Sequence, residues 1–237
     1  MSSSINIKLF STHPHKCSYL ADREATTVFV DPDATMDSAL YSRLSELGFR
    51  RSGQHVYRPQ CAECNACTPV RIKVEAFALN RQQKRTLKRN NDLTLELLER
   101  IDTDECYALY EAYINVRHRD GDMFPPTKSQ YNGFLTAQWG ATRFLAARLN
   151  GQLVGVAMCD VLANGLSAVY TFFDPSLTKR SLGAWFILQQ IAWTNRLGLS
   201  HLYLGYWIKD CQKMSYKTQY QPLEYFKGGF WTRISSN

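Results

Sequence analysis

The sequence contains no hydrophobic run that approaches the length of a membrane-spanning helix. Its first residues, MSSSINIKLFSTHPHKC, lack the basic segment and long apolar stretch of a secretory signal peptide. Low-complexity segments and internal repeats are also lacking, which argues against disordered and solenoid proteins. We therefore expect a cytoplasmic globular protein without a membrane partner, built from one large domain or two small ones in 237 residues.

Acidic residues are scarcer than basic ones. The chain has 28 Lys and Arg against 21 Asp and Glu, which gives a net charge of +7. A basic surface suits a polyanionic partner such as nucleic acid, although many basic proteins bind none. Hydrophobic residues make up 45% of the chain, so it can bury a sizeable core.

A second Cys-x-x-Cys pair, which zinc ribbons offer, is missing. The segment YRPQCAECNACTPVRI holds Cys61, Cys64 and Cys67, and Cys17 is a possible fourth metal ligand. An odd total of seven cysteines argues against a disulfide framework. Two hypotheses stay open: these four cysteines bind a metal, or they are free thiols packed in a tight loop.

The first eighty residues mix strands with a helix. TTVFVDP predicts a short strand, and MDSALYSRLSELGF has helical spacing closed by a glycine. PVRIKVEAF alternates, with Val70, Ile72 and Val74 on one face. The cysteine loop therefore leads into a strand.

The next segment, LNRQQKRTLKRNND, predicts a helix dense in cations. Five basic residues lie on or beside one face of it: Arg81, Lys84, Arg85, Lys88 and Arg89. We interpret this face as a surface that contacts nucleic-acid phosphates, with an ordinary solvated helix as the alternative.

From about residue 103 the pattern changes. An amphipathic helix is followed by the pairs Asn150–Gly151 and Asn164–Gly165, which predict two hairpins whose turn residues adopt positive φ. The result is a three-strand antiparallel meander, followed by a long helix from about Lys179 to Leu197 and the buried strand HLYLGYW.

This order of elements is that of acyltransferases of the acetyl-CoA N-acetyltransferase (GNAT) type. We predict an α+β fold with a GNAT-like domain at 103–237. A basic connecting helix would occupy 81–102, and a smaller cysteine-containing region for substrate recognition 1–80.

The usual cofactor loop of that fold is poorly matched. In RSLGAW, Arg180 and Gly183 fit the acetyl-CoA pattern, but Trp185 stands where a small residue is needed. We expect the indole to obstruct a phosphate, which disfavours acetyl-CoA as the donor. An activated acyl group carried on a polyanion would also explain the net charge.

Four groups of residues together resemble the aminoacyl-tRNA–protein transferases, especially the compact bacterial aspartate/glutamate leucyltransferases. They are CSYLADREATTVFVDP, GFRRSGQHVYRPQCAECNACTPVRI, RHRDGDM and YTFFDP…SLGAW…LYLGYWI…MSYKTQYQPLE. The resemblance implies transfer of leucine from leucyl-tRNA to proteins that begin with Asp or Glu, which marks them for degradation. It says nothing of the oligomeric state.

The larger arginyltransferases of this superfamily carry a cysteine-rich site associated with a metal or an iron–sulfur centre. This sequence keeps a thiol at only two of those four positions, so that site is not carried over. A zinc ion or iron–sulfur cluster at the cysteine loop stays a separate hypothesis. The reaction itself should require no cofactor, since the leucyl ester is already activated.

In the implied reaction, the α-amine of the acceptor attacks the ester carbonyl of leucyl-tRNA. We expect the enzyme to position the reactants and to stabilise charge on the carbonyl oxygen. Asp122 could hold or deprotonate the amine, and His118 is the histidine nearest to that loop.

Substrate binding is predicted at two places. Arg58 and Arg71 flank the cysteine loop, beside Tyr57. Because a guanidinium binds both oxygens of a carboxylate, we assign these three residues to binding of the acidic acceptor residue. The alternative is that both arginines are solvated. The remaining candidates come from the strands YTFF and LYLGYW and from MSYKTQY: Tyr170, Phe172, Tyr206, Trp207 and Lys217.

Of these, Phe172 would line an apolar pocket for leucine. Tyr206 and Trp207 would stack on the terminal adenine or else pack in the core, and Lys217 would contact the acceptor end of the tRNA or its phosphates. The residues alone leave three alternatives: arginine as the transferred group, a CoA-dependent acetyltransferase, and a zinc-stabilised RNA-binding module.

Overall fold

The computed structural model describes residues 7–121, 123–136, 139 and 141–233. The first strands are short and belong to the N-terminal region: β1 (Leu9–Ser11), β2 (His15–Lys16), β3 (Glu24–Ala25), β4 (Thr27–Val30), β5 (Arg50–Ser52) and β6 (His55–Pro59). They form a four-stranded sheet in the order β1-β4-β6-β5 and a separate β2–β3 pair.

A larger sheet contains the remaining described strands: β7 (Thr68–Lys73), β8 (Leu93–Leu98), β9 (Thr142–Leu149), β10 (Gln152–Leu162), β11 (Gly165–Phe173), β12 (His201–Trp207), β13 (Leu223–Lys227) and β14 (Phe230–Arg233). Their order is β14-β13-β7-β12-β11-β10-β9-β8. The strand β7 comes from the first eighty residues, yet it pairs with β12 and β13. The division predicted at residue 80 therefore does not separate two sheets.

Five α-helices lie in the described part of the chain: α1 (Ser38–Glu46), α2 (Arg81–Arg89), α3 (Asp104–Arg117), α4 (Lys128–Leu135) and α5 (Leu182–Arg196). The basic helix α2 starts with a capping box in which Asn80 and Gln83 exchange hydrogen bonds. The long helix α5 starts later than predicted, because Thr178–Arg180 forms a 3-10 turn and Ser181 has a φ of 54°. Within the described residues, no helix has both the length and the apolarity to cross a bilayer.

The predicted meander of β9, β10 and β11 is confirmed. Asn150 and Gly151 form its first turn with φ values of 51° and 83°, as an Asn-Gly turn requires. The second turn differs, since Leu162 pairs with Gly165 and the loop is Ala163 and Asn164. The prediction that Asn164 and Gly165 adopt positive φ is wrong. Glycine is needed at position 165 for a different reason, because a Cβ there would lie 2.2 Å from the His201 carbonyl oxygen.

The large sheet is covered on both faces. Ala157 and Cys159 of β10 pack in a core with α5, whereas Val156 and Met158 pack in a core with α3 and α4. Successive side chains of a strand point to opposite faces, so one strand serves both cores. The N-terminal strands and α1 form a third core, which also includes Tyr203 of β12.

The parallel strands β11 and β12 are paired only over Gly165–Ser167 and His201–Tyr203. Farther along, β11 pairs only with β10 and β12 only with β7, and the register of β12 shifts between Tyr203 and Gly205. We call the gap between residues 168–173 of β11 and 204–207 of β12 the β11/β12 opening. The backbones of β11 and β12 are not paired with each other across this gap.

Candidate active site

The narrow end of the β11/β12 opening is closed by Arg50 of β5. Its Nη1 donates a hydrogen bond to Ser167 Oγ at 2.7 Å, and its Nη2 donates to the Ala168 carbonyl oxygen. Gly205 makes room for the guanidinium, because a Cβ there would lie 3.1 Å from Arg50 Nε. The N-terminal region thus supplies a cation to the middle of the large sheet.

The other side of the opening carries Lys217, from the 3-10 helix Gln212–Gln219. Its Nζ donates a hydrogen bond to the Tyr206 carbonyl oxygen of β12, and the residue is only 6% exposed. Burial lowers the pKa of Lys217 to about 7, and the charge of Arg50 contributes to the decrease. Arg50 lies against Gly205 and Lys217 binds the carbonyl oxygen of the next residue, Tyr206, so both cations meet the same short stretch of β12.

Two tyrosine rings pack against each other at this stretch of β12. The ring centroids of Tyr57 and Tyr206 lie 6.3 Å apart, and Tyr206 Oη donates to the Gly48 carbonyl oxygen at 2.8 Å. The sequence predicted substrate-binding roles for Tyr57, Tyr206 and Lys217, and the structure brings the three together.

Tyr170 of β11 is another predicted residue in this part of the sheet. Its ring packs against Phe134 and Tyr113, at centroid distances of 5.2 Å and 6.5 Å. Among the described residues, its buried hydroxyl has no hydrogen-bond partner. Burial raises the pKa of Tyr170, so the hydroxyl stays protonated and can donate to a substrate oxygen.

His118 caps the C-terminus of α3, where its ring lies 5.2 Å from that of Tyr113. Burial lowers the pKa of His118, although Asp120 opposes the effect, so the imidazole is mostly neutral at pH 7. Asp120 also binds Lys213 Nζ at 3.0 Å and thereby links the loop after α3 to the 3-10 helix that carries Lys217. The other predicted catalytic residue, Asp122, lies outside the described residues.

The two arginines assigned to an acidic substrate both have other contacts. Arg71 Nε binds Glu224 Oε2 at 2.7 Å, and its guanidinium lies 4.3 Å from the Trp231 ring centroid. Arg58 stacks over Phe49 at 4.9 Å, on the side of β6 opposite to Tyr57 by strand alternation. Since Arg71 already has a carboxylate partner, the physical reason for assigning it to a substrate carboxylate is lost.

Phe172 and Trp207 pack differently from what the sequence suggested. Phe172 is 1% exposed and contacts the rings of Tyr110 and Tyr131, so it is a core residue and does not line a leucine pocket. The indole of Trp207 packs against Tyr225 at 5.5 Å. That contact corresponds to the core-packing alternative for this residue.

The prediction that the Trp185 indole obstructs a phosphate is wrong. Its side chain is 2% exposed and packs against Phe186 in the core, although the residue lies in the first turn of α5. Arg180, which fits the cofactor-loop pattern in the sequence, forms two 2.8 Å hydrogen bonds with Asp92. The case against acetyl-CoA therefore cannot rest on the indole.

The five predicted cations of α2 are exposed to solvent, while Gln83 and Thr86 face the protein interior. Of the five, Arg89 contacts the protein, since its Nη1 donates to the Lys179 carbonyl oxygen. The helix thus presents a basic outer face: Arg81, Lys84, Arg85, Lys88 and Arg89.

The four candidate metal ligands, Cys17, Cys61, Cys64 and Cys67, are partly exposed free thiols. Burial raises the pKa of Cys67 to about 11, and the neighbouring cysteines add to the increase, so this thiol is protonated at neutral pH. In the described ranges, no three His, Cys, Asp or Glu side chains are arranged to hold a metal ion. As positioned, these thiols do not fit a zinc or iron–sulfur site, and no reaction step is assigned to one.

Arg50 was missed by the sequence reasoning. The doublet Arg50–Arg51 was a visible signal, because strand alternation sends the two guanidinium groups to opposite sides of β5. Which of the two finds a carboxylate depends on β10 and β11, more than a hundred residues away in sequence.

Comparison with known families places these features in context. A family model described as the arginine-tRNA-protein transferase C terminus matches residues 105–227. A second, described as the N terminus of the same proteins, matches residues 15–85.

Individual relatives cover nearly the whole chain. The aspartate/glutamate leucyltransferase of Saccharophagus degradans is 56% identical over 95% of this chain and 96% of its own length. That of Teredinibacter turnerae is 55% identical over 99% of this chain and 97% of its own length.

Among solved structures, L-PGS from Bacillus licheniformis is 11% identical, with a TM-score of 0.45 over 59% of this chain and 45% of its own. The family matches and the full-length relatives lead to one conclusion. This chain belongs to the arginine-tRNA–protein transferase family, in the group whose members are named aspartate/glutamate leucyltransferases.

Proposed function

We propose that this chain transfers leucine from leucyl-tRNA to the N-terminal Asp or Glu of proteins in the cytosol, and that the added leucine marks those proteins for degradation. The observation that carries the proposal is the identity of 56% and 55%, over nearly the full chain, to relatives of that name. The β11/β12 opening supports it with a cationic, tyrosine-lined site in a GNAT-like order of strands and helices.

The chemistry forms one bond and breaks another. The neutral α-amine of the acceptor attacks the ester carbonyl carbon, a C–N bond forms, and the C–O bond to the tRNA ribose breaks. The amine loses one proton, and the departing ribose oxygen gains one. Because an α-amine has a pKa of about 7.7–8.0, a sizeable fraction is already neutral in the cell. Positioning and charge stabilisation therefore matter more than a strong base.

Two groups suit the reacting atoms. The hydroxyl of Tyr170 is a buried donor without a partner among the described residues, which is what a developing negative charge on the carbonyl oxygen requires. We assign proton transfer to the loop after α3, through His118 and Asp122. A neutral imidazole can accept the amine proton and pass it to the ribose oxygen.

The tRNA is assigned to two surfaces. The exposed cations of α2 would contact phosphates, since each such contact adds affinity irrespective of base sequence. The rings of Tyr57 and Tyr206, beside the opening, suit stacking of the terminal adenine. This arrangement would bring the leucyl ester to the β11/β12 opening.

The charge of the site favours leucine over arginine as the transferred residue. Arg50 is a cation at the opening and Lys217, with a pKa of about 7, is partly charged there at neutral pH, so an arginyl group would add a further cation beside them. An uncharged leucyl group avoids that repulsion.

The test is a transfer assay with the purified protein. The donors are radiolabelled leucyl-tRNA and arginyl-tRNA, and the acceptors are peptides that begin with Asp, Glu, Arg or Ala. We expect label from leucyl-tRNA on the Asp and Glu peptides alone. Label from arginyl-tRNA alone would overturn the donor. Bound tRNA without any transfer would favour an RNA-binding module, and acetylation from acetyl-CoA would favour an acetyltransferase.

We further propose that the transfer requires no metal or other cofactor, because the ester is activated before it reaches the enzyme. Dialysis against a chelator, followed by metal analysis of the protein, should leave kcat unchanged. A loss of transfer that added zinc or iron restores would overturn this proposal and bring the cysteine loop back as a metal site.

A further inference from the structure

The surroundings of Arg50 and Lys217 differ from those of other buried cations in this protein. Four other arginines with side chains at most 24% exposed each bind a carboxylate: Arg51, Arg71, Arg148 and Arg180. Arg50 and Lys217 donate instead to neutral oxygens, namely a serine hydroxyl and two backbone carbonyls. Within the described ranges, neither forms an ion pair with Asp or Glu.

Two close cations without a counter-ion are costly to bury, because each loses hydration and each repels the other. The cost shows in Lys217, whose pKa falls to about 7 through burial and the nearby charge of Arg50. A bound anion would remove both penalties. The site is therefore unfavourable when it is empty and favourable when a negatively charged group enters it.

Both cations keep hydrogen-bond donors available for such a group. A guanidinium has five N–H groups, and those of Arg50 that bind Ser167 and Ala168 hold the side chain in one orientation. An ammonium group has three, of which the bond to Tyr206 uses one in Lys217. Free donors of two cations at one place suit the two oxygens of a carboxylate.

We infer that Arg50 and Lys217 together bind the side-chain carboxylate of the acceptor's N-terminal Asp or Glu, and so determine the enzyme's preference for acidic acceptors. This assignment rests on the proposed function. It replaces Arg71, whose guanidinium is paired with Glu224, and it adds Arg50, which lies in the sequence next to a purely structural arginine.

The phosphate of the terminal tRNA nucleotide is a second source of negative charge. A phosphodiester is flanked by two bulky nucleosides, whereas Lys217 is only 6% exposed, with its Nζ bound to the Tyr206 carbonyl oxygen. The exposed cations of α2 are better placed for phosphates. We therefore assign the buried pair to the acceptor, and the experiment separates the two sources.

The experiment compares acceptors that differ only in charge: peptides beginning with Asp or Asn, and with Glu or Gln. Single-turnover transfer from leucyl-tRNA is measured for the wild type, Arg50→Gln, Arg50→Lys and Lys217→Met. The controls are Arg43→Gln and Lys209→Met, which alter exposed cations. Direct binding of each peptide is measured in parallel by calorimetry, so that the inference is tested even without turnover.

We expect Arg50→Gln and Lys217→Met to weaken transfer to and binding of the Asp and Glu peptides by roughly 10- to 100-fold, the usual effect of losing a hydrogen bond to a charged group. The Asn and Gln peptides should change less than about threefold, so the preference for acid over amide collapses. Arg50→Lys keeps the charge and should lose less than Arg50→Gln. The KM for leucyl-tRNA should not change.

Three results would overturn the inference. An equal loss on acidic and amide peptides, with the preference intact, would mean that the residues only support the fold. A higher KM for leucyl-tRNA with an unchanged acceptor preference would assign the pair to a phosphate. Unchanged binding of the Asp peptide by both variants would remove the pair from the site. Failure of the wild type to transfer leucine to any peptide would instead overturn the proposed function.

Discussion

Arg50 and Arg51 are adjacent on one short strand, yet their surroundings are opposite. Arg51 makes two hydrogen bonds to Asp160, of 2.6 Å and 2.7 Å, and both side chains are 0% exposed. Arg50, on the other side of β5, donates to neutral acceptors at the β11/β12 opening and has no carboxylate partner among the described residues. The first arrangement is complete without a ligand, and the second is not.

The difference follows from the sheet. Asp160 lies in β10, which is hydrogen-bonded to a neighbouring strand on each side, so the Arg51 pair is enclosed by regular structure. Arg50 reaches the place where β11 and β12 separate, and there the backbone has groups that no strand satisfies. Where the strands are continuously paired, the buried arginine has a carboxylate partner within the protein. Where β11 and β12 separate, the arginine has no such partner and can bind a charged substrate.

Breaking the enclosed pair should give the largest effect on stability. Asp160→Asn removes the charge opposite Arg51 but keeps the shape, and it leaves a buried cation without compensation. We expect a loss of about 3–5 kcal/mol in the free energy of unfolding. Urea denaturation measures it, and Arg43→Gln on the exposed face of α1 is the control, with a change within about 0.5 kcal/mol. A loss below about 1 kcal/mol would show that the pair is not a structural support.

Removing the buried cation Lys217 from the β11/β12 opening should raise the free energy of unfolding, and the size of this gain should depend on pH. Lys217 has a lowered pKa in the folded protein, so between pH 7 and its ordinary pKa the unfolded chain binds more protons than the folded one. The free energy of unfolding therefore rises with pH across that interval. Below pH 7 Lys217 is charged in both states, and the full cost of burying its charge reduces the stability of the folded protein.

Lys217→Met removes that dependence. Relative to the wild type, the variant should be most stable at pH 6 and should lose that advantage by at most about 1.4 kcal/mol per pH unit as the pH rises from 7 to 9. Urea titrations at pH 6, 7, 8 and 9 measure the difference, with Lys209→Met as the matched control. A difference that is constant across these pH values would mean that Lys217 is charged in the folded state throughout.

Tyr170→Phe tests the neutral part of the same site. The hydroxyl is buried without a partner among the described residues, so its removal should leave stability unchanged or raise it by up to about 1 kcal/mol. If the hydroxyl stabilises the carbonyl oxygen, kcat should fall on the order of 10-fold or more while the KM values stay constant. Tyr110→Phe, which removes a similar buried hydroxyl from the core beside α3, should leave kcat unchanged. Loss of stability without loss of kcat would instead mean that the hydroxyl supports the fold and not the reaction.

Local chemistry determined which elements the sequence could predict. The alternation of Val70 and Ile72 predicted β7, and Asn150–Gly151 predicted a tight hairpin turn, because both depend on neighbouring residues alone. The position of β7 between β12 and β13 could not be predicted in this way. It depends on strands that follow more than a hundred residues later.

The site shows the same limit. Tyr57, Tyr206 and Lys217 were predicted from motifs, but their meeting with Arg50 is set by tertiary structure. The misreading of Trp185 was avoidable, since apolar residues at helical spacing around it already indicated a core-facing side.

The exposed cations of α2 contrast with Arg50 and Arg51, and replacing one of them should have the smallest effect of these variants. Arg85 lies on the solvated face of the helix, so Arg85→Gln should leave the free energy of unfolding within about 0.5 kcal/mol of the wild type. If it contacts a phosphate, the affinity for leucyl-tRNA should fall by a few-fold, and the slope of log K against log salt should decrease by about 0.7–0.9. Arg196→Gln, at the end of α5, is the control cation outside this surface.

The preference for Asp over Asn peptides should be unaffected in Arg85→Gln, because an exposed cation contacts the tRNA and not the buried carboxylate site. An unchanged salt slope would leave α2 as an ordinary solvated helix.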